Sequence, residues 1–387
     1  MRVLFVTPFA PNARAGHGGG AYLGAIATAM QARAECGLCC LAEGPGNGDA
    51  APWAWHASVP HRSRGGGLLA SLRRLWQWRR LPLVAAKAWN PTFAATLRRA
   101  VLDFRPDVAL VEMAQMAQYL PYLRPTPTIL TDHESGCPAN TRTGLGPLGD
   151  LRDRRLWNRY VRREFANADL VQALTAEDAA TLRQLLQRDV PVRPPAVVLP
   201  ASPVAPAAAP PNALFLGDYH HAPNPEAARR LVRDVLPLLQ QWNPAAELWL
   251  AGPNEAPIRA LANQPGVRVL GFVDDLPRLF TQVRLLLAPL WSGTGFRVKA
   301  ATALAHGLPV VTNELGGRGL GAPAPAIQRG ETPAQLALLA SPLLADASTA
   351  AAAGAAAFAW ARANLAADAI AAGQLSRAAD LLAARAR

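Results

Sequence analysis

The stretch Pro289–Leu320, PLWSGTGFRVKAATALAHGLPVVTNELGGRGL, decides how this chain is read. The run Arg284 to Ala288 just before it is mostly apolar and predicts a short buried strand. Gly293-Thr294-Gly295 then interrupts regular structure. From Arg297 to His306 the pattern is helical, with Val298, Ala301, Thr302 and Ala305 on one face. Gly307 suits a helix stop, and Pro309 to Thr312 reads as the next strand. Strand, glycine loop, helix and strand in that order form one unit of a parallel α/β sheet.

The chemistry of the loop points to an anion. Glycines let a backbone approach a ligand closely. A helix amino end offers N–H groups and a partial positive charge. Arg297 and Lys299 add two cations at the same end, which is unfavourable for the helix alone. A phosphate or diphosphate is the natural counter-charge. The plain alternative is a tight turn with two solvated cations.

Gly293-Thr294-Gly295-Phe296-Arg297-Val298-Lys299, Ala303-Leu304-Ala305, Gly307, Pro309-Val310-Val311 and Gly316-Gly317-Arg318-Gly319-Leu320 resemble the C-terminal signature of GT-B glycosyltransferases of the family 4 type. The resemblance extends upstream through Phe215-Leu216-Gly217, Pro223-Asn224 with Ala227, Pro237, Ala251-Gly252, Gly271-Phe272-Val273-Asp274-Asp275 and Pro289. It implies an α/β protein of two Rossmann-like, doubly wound parallel-sheet domains facing a central cleft. It also implies a retaining, hexosyltransferase-type enzyme that uses a nucleotide-diphosphate sugar without a metal or other cofactor. On this resemblance the donor diphosphate meets Gly293, Thr294, Gly295, Phe296, Arg297 and Lys299. The nucleoside meets Gly217, Phe272, Val273 and Thr302.

Two departures stand out. The family usually carries a ribose-binding glutamate in the motif helix, and often another in the loop; the matching positions here are Thr302 and Thr294. Many members place an arginine after the glycine matching Gly217 and a lysine shortly beyond. Here Asp218, Tyr219, His220 and His221 follow, so Arg297 and Lys299 are expected to take the cationic role. The pair Asp274-Asp275 reads as a helix cap with a first-turn acid rather than a metal site.

The amino-terminal half opens in the same way. Arg2 to Thr7 predicts a buried strand, Ala21 to Arg33 a helix and Gly37 to Ala42 a second strand, with Gly18, Gly19 and Gly20 between the first two. The resemblance sends this glycine loop to the donor phosphates; the bland alternative is loop glycine. Asp107 to Glu112 and Thr128 to Thr131 predict further strands, the latter followed by Asp132-His133-Glu134. The carboxyl end of a parallel strand is where ligands bind. The family's histidine at this place contacts the donor sugar, which makes His133 the catalytic candidate. Asp132 and Glu134 are placed to orient its ring. Leu156 to Ala168 reads as a strongly basic helix, Asp169 to Leu174 as a strand, and Thr175 as the cap of the next helix.

Net charge is +12 over 387 residues, a surface that attracts anions. Ser71 to Leu81, SLRRLWQWRRL, gathers arginine and tryptophan as an interfacial helix does, which makes an anionic membrane surface a candidate partner; the plain alternative is a surface helix docked on the first domain. No nucleic-acid module accompanies it, and a nucleic-acid partner is not expected. No apolar run reaches the roughly 18 residues of a membrane span. Met1 to Thr7 lacks the pattern of a signal peptide, which predicts a cytoplasmic protein; the candidate membrane partner would make it peripheral on the inner membrane face. Cys36, Cys39, Cys40 and Cys137 read as buried free thiols, since the C-x-x-C pair has no second pair.

The proline- and alanine-rich run before Ala213 reads as a linker. The expected division is an acceptor-side domain over 1–198, a linker over 199–212, a nucleotide-sugar domain over 213–355, and helices over 356–387 that pack back on the first domain. The leading reading is a retaining glycosyltransferase acting on a glycan or lipid-linked acceptor in bacterial cell-envelope polysaccharide synthesis. A catalytically weak or inactive relative that binds a partner, and a sugar-nucleotide epimerase of the same shape, are the alternatives. Oligomeric state is not legible.

Overall fold

The structure is a computed structural model that describes residues 1–11, 18–42, 53–60, 78–134, 143, 146–293 and 295–386. Contacts divide the chain into two units. The first is Met1–Ala196 with Thr294–Phe296 and Ala367–Arg387; the second is Val197–Gly293 with Arg297–Ala366.

Each unit is built on a six-stranded, wholly parallel sheet. In the first, β1 (Arg2–Thr7), β2 (Glu35–Ala42), β3 (Trp55–Pro60), β4 (Val108–Glu112), β5 (Thr128–Asp132) and β6 (Leu170–Ala173) run in the order β3-β2-β1-β4-β5-β6. In the second, β7 (Asn212–Leu216), β8 (Glu247–Ala251), β9 (Val267–Gly271), β10 (Leu285–Leu287), β11 (Val310–Thr312) and β12 (Ile327–Arg329) run in the order β12-β11-β10-β7-β8-β9. Both are doubly wound. The order reverses between β1 and β4 in one sheet and between β7 and β10 in the other, and such reversals open a crevice at the strands' carboxyl ends.

The first unit's helices are α1 (Gly18–Gln31), α2 (Leu83–Ala88), α3 (Pro91–Asp103), α4 (Gly146–Glu164), α5 (Ala176–Leu186) and, from the chain's far end, α12 (Ala367–Ala386). The second unit's are α6 (Pro223–Arg230), α7 (Leu236–Trp242), α8 (Leu276–Phe280), α9 (Val298–Ala305), α10 (Pro333–Ala345) and α11 (Ala347–Asn364). A π-turn, Leu231–Val235, joins α6 to α7 and admits Pro237 one residue into α7.

Strand β1 shows why the first sheet is covered on both faces. Leu4 and Val6 enter one core with α3 and α4, while Val3 and Phe5 enter another with α1 and α12. Alternate side chains point to opposite faces, so an unbroken apolar strand needs two layers of helix. Helix ends follow their capping residues. Asn90 accepts from Thr92 N, Thr175 from Asp178 N and Asp275 from Arg278 N, and Thr332 with Gln335 forms a capping box.

Several elements differ from the sequence reading. The three glycines at 18–20 are the first turn of α1, not a loop before it. The basic helix starts at Gly146, ten residues before Leu156. Pro206–Ala208 is a 3-10 turn packed on α11, so the proline-rich run is held rather than free. Cys36, Cys39 and Cys40 are buried free thiols, and burial pushes all three up in pKa. Cys137, Thr294 and residues 71–77 lie outside the described residues. Of the arginine–tryptophan segment, Trp78 is buried and its indole N–H donates to Asp153 of α4 at 2.9 Å.

Candidate functional site

Within the second unit, the reversal between β7 and β10 gathers Gly293, Arg297 and Lys299 of the residues expected at the phosphates, whereas Gly18, Gly19, Gly20, Gly295 and Phe296 group with the first unit. Gly293 and Gly295 both have positive φ, 107° and 81°, which lets the loop turn sharply after β10. Arg297 is the residue before α9, and no side chain caps that helix's amino end. The Arg297 guanidinium is buried; it donates to Gly293 O at 3.2 Å and to Leu315 O at 2.9 Å, tying the loop to the turn after β11.

Lys299 crosses the crevice. From α9 its ammonium donates to Leu216 O, at the carboxyl end of β7, at 2.7 Å and to Asn224 Oδ1, on α6, at 2.8 Å. It also lies 4.5 Å from the centre of the Phe215 ring. All these partners are neutral. The residue keeps some surface, yet its ammonium is desolvated; that desolvation, with Arg297 nearby, pushes its pKa down to about 7. Asp218 serves the turn after β7: its carboxylate accepts from His220 N at 3.0 Å and Asn254 Nδ2 at 2.8 Å.

Two residues near this crevice were given no role from the sequence, although Pro223-Asn224 was part of the resemblance. Asn224 orients the Lys299 ammonium. Asn313 is buried and bridges Leu290 N, Leu290 O and Gly316 N at 2.7–3.0 Å, which fixes the end of β10 against the turn after β11. Their signal was an Asn just past a strand or inside the first turn of a helix, a place that favours short-range backbone bonds.

The nucleoside candidates take several positions around the carboxyl edge of the same sheet. Gly217 follows β7 with its N–H on Ala251 O at 3.0 Å, and a Cβ there would meet Asn224 at 2.8 Å. Phe272 follows β9 and is 60% exposed, a free aromatic face. Val273 lies beside it, half-way to the cap Asp275. Thr302 is half-buried on α9, and its carbonyl accepts from His306 Nδ1 at 2.8 Å.

The first unit holds His133 differently from the sequence expectation. The ring is buried at the end of β5, and Nε2 lies 3.0 Å from Glu112 Oε2 at the end of β4. The Tyr22 hydroxyl of α1 lies 2.9 Å from Nδ1 and also contacts Nε2. Glu112 itself accepts from Arg193 Nη2 at 2.9 Å and from Thr131 Oγ1 at 3.2 Å. The group that orients His133 is therefore Glu112, not its neighbours Asp132 and Glu134. Thr131 and His133 share one face of the strand end and Asp132 takes the other, so adjacency in sequence separates their side chains.

Burial works to raise the Glu112 pKa, but Arg193 and the His133 bond outweigh it and hold the carboxyl below its usual range. Burial lowers His133 and the Glu112 contact does not fully offset this, so the ring is neutral. Arg193 already supplies the positive charge. Asp132, pushed up to about 7 by burial and by Asp178, stands apart from this set with Oδ2 unpartnered. Gln172 bonds Thr131 and also Gln374 of α12, so the final helix joins the same network. Among the described residues no group of three or more His, Cys, Asp or Glu is placed to hold a metal.

The sequence of the second unit carries a family assignment. Residues 210–353 match the profile of the family described as Glycosyl transferases group 1. The second unit is a group 1 glycosyltransferase domain. The match spans β7 to α11 and includes every candidate residue placed around β7 and β10. No curated protein matches the chain significantly. Among solved structures, sucrose-phosphate synthase from Thermosynechococcus elongatus superposes with TM-score 0.69 at 17% identity, covering 99% of this chain and 100% of that one. A trehalose 6-phosphate synthase from Burkholderia multivorans gives 0.66 at 13%, covering 99% of each. HepE from Anabaena, solved with UDP and glucose, gives 0.63 at 16%, covering 98% of this chain and 100% of that one. These likenesses establish the GT-B fold for the chain that carries the glycosyltransferase domain.

Proposed function

We propose that the protein is a retaining glycosyltransferase that moves a sugar from a nucleoside-diphosphate donor to a glycan or lipid-linked acceptor in cell-envelope polysaccharide synthesis. The observation that carries the reading is Lys299: a desolvated ammonium at the reversal of the second sheet, whose hydrogen-bond partners among the described residues are neutral. A nucleoside diphosphate brings the anion this position lacks. The uncapped amino end of α9 points N–H groups at the same place. As the glycosidic bond lengthens, charge grows on the leaving phosphate, and a cation fixed beforehand stabilises it without reorganisation. The exposed Phe272 ring is a stacking face for the base.

His133 is assigned to the sugar. A neutral imidazole held by Glu112 takes a hydrogen bond from a sugar hydroxyl at Nδ1, where the Tyr22 hydroxyl sits in this structure. In a front-face reaction the leaving phosphate accepts the acceptor's proton, so no separate general base is required of the chain. No metal or other cofactor has a role in this scheme, and the expected location is cytoplasmic.

The second reading, a relative with little donor binding, is favoured by Thr302 standing where a ribose-binding glutamate is usual. Calorimetric titration with UDP, GDP and ADP separates the two. Micromolar binding of one nucleotide, lost in Lys299→Met, supports the enzyme; no binding by any of them overturns it. For the bound nucleotide, proton NMR of the anomeric signal in the transfer product tests retention.

A further inference from the structure

The basic helix α4 presents a surface that the donor chemistry does not use. Its buried side is Gly149, Asp153, Trp157, Tyr160 and Val161. At 100° per residue, Leu148, Leu151, Arg155, Arg159 and Arg162 fall within one quadrant on the opposite side, a stripe about 21 Å long. All five are exposed, Leu148 at 82% and Leu151 at 39%. Some helical arginines elsewhere are neutralised by carboxylates, as in Arg99 with Asp103, Arg230 with Glu226 and Arg259 with Glu255. Arg155, Arg159 and Arg162 make no ion pair among the described residues. Trp78 and Asp153 meet on the far side of the helix, where Arg152 stacks on the indole at 4.5 Å.

We propose that this face of α4 docks on an anionic lipid bilayer. The stripe is convex and ends in two leucines presented to solvent, which a flat headgroup layer accommodates and a carboxylate-bearing protein groove has no need of. Three arginines aligned along one line meet a negative surface together, each contributing about fivefold to partitioning. The leucines insert beside them and supply the part of binding that salt does not screen.

The test is co-sedimentation of the full chain with vesicles of phosphatidylcholine alone or with one-quarter phosphatidylglycerol, at low and high salt. The wild type is expected to sediment only with the anionic vesicles, and less at high salt. The variant Arg155→Gln/Arg159→Gln/Arg162→Gln is expected to lose about 100-fold in partitioning. Leu148→Ser/Leu151→Ser is expected to lose the salt-resistant remainder. Circular dichroism and nucleotide affinity of both variants report whether the fold and the donor site are intact, independently of vesicle binding. Sedimentation with neutral vesicles alone, an unaltered triple variant, or binding of RNA or heparin without vesicle binding would each overturn the proposal.

Discussion

If the Lys299 ammonium is the donor's counter-charge, nucleotide affinity must depend on pH in a defined window. The free protein holds this lysine at about 7 because of desolvation and Arg297. A bound diphosphate supplies the missing negative charge and returns it toward the ordinary lysine value of about 10.4. Between those values binding takes up a proton. From pH 7.0 to 8.5 the protonated fraction of the free protein falls from about one half to about 3%, so affinity is expected to weaken by about 15-fold. The phosphate's own titration, near pH 6, lies below this window. Calorimetry at pH 8 in buffers of different ionisation enthalpy is expected to show about 0.9 proton taken up per nucleotide. Lys299→Met is expected to lower affinity and abolish the uptake. Affinity flat from pH 7 to 8.5, or proton uptake unchanged in Lys299→Met, would refute the assignment. The same shift sets a stability trend. Its folded pKa is depressed, so the unfolded chain binds more protons between about 7 and 10.4, and nucleotide-free stability rises with pH across that range.

Three further outcomes are expected. Arg193→Met leaves the Glu112 charge buried without its cation and should cost about 3–5 kcal/mol in urea unfolding at pH 7, an effect that shrinks as acid protonates Glu112. Because Glu112 is depressed in the folded state, its contribution is present above the unfolded value near 4.3 and is lost as pH falls through the folded one. Asp132 is the reverse case: its folded pKa is raised to about 7, so stability associated with its proton is lost as pH rises to that value. The advantage of Asp132→Asn over wild type should widen by up to about 1.4 kcal/mol per pH unit between pH 4 and 7 and then level off; an advantage independent of pH would place the carboxyl in solvent. Thr302→Glu should tighten nucleotide binding by about tenfold through a charge-assisted bond to ribose, read by calorimetry against the 2′-deoxy nucleotide, which should gain less.

The second unit was legible because most of its candidate phosphate residues cluster in one strand–loop–helix stretch. Glycines, cations and the helix start lie within a few positions of one another, so spacing alone carries the chemistry. The first unit's polar network was not. Glu112 meets His133 only because β4 and β5 pair in parallel register, with Glu112 opposite Thr131, and a 21-residue separation hides that from local patterns. Strand β3 was missed because Val59 alone of its residues is buried, the others being partly or fully exposed, an edge strand without an apolar run. Helix α3 did carry a readable start, Asn90 as cap and Pro91 in the first position, obscured by the arginine–tryptophan run before it. The first ten residues of α4 escaped notice because Gly146, Pro147 and Gly149 resemble loop composition, whereas packing of Asp153 and Trp157 decides for helix.

Helix α12 has a consequence for how the molecule is made. It closes the layer over α1, placing Ala371 and Ala378 in the core and Gln374 on Gln172, yet it is made after every strand of the second unit. Synthesis proceeds from the amino terminus, so the unit born first waits for α12 to be sealed, while the second unit already has all its strands. A nascent chain therefore carries an unroofed apolar sheet face until α12 emerges. Stop codons just ahead of Ala367 are expected to be as damaging to the first unit as lesions within it.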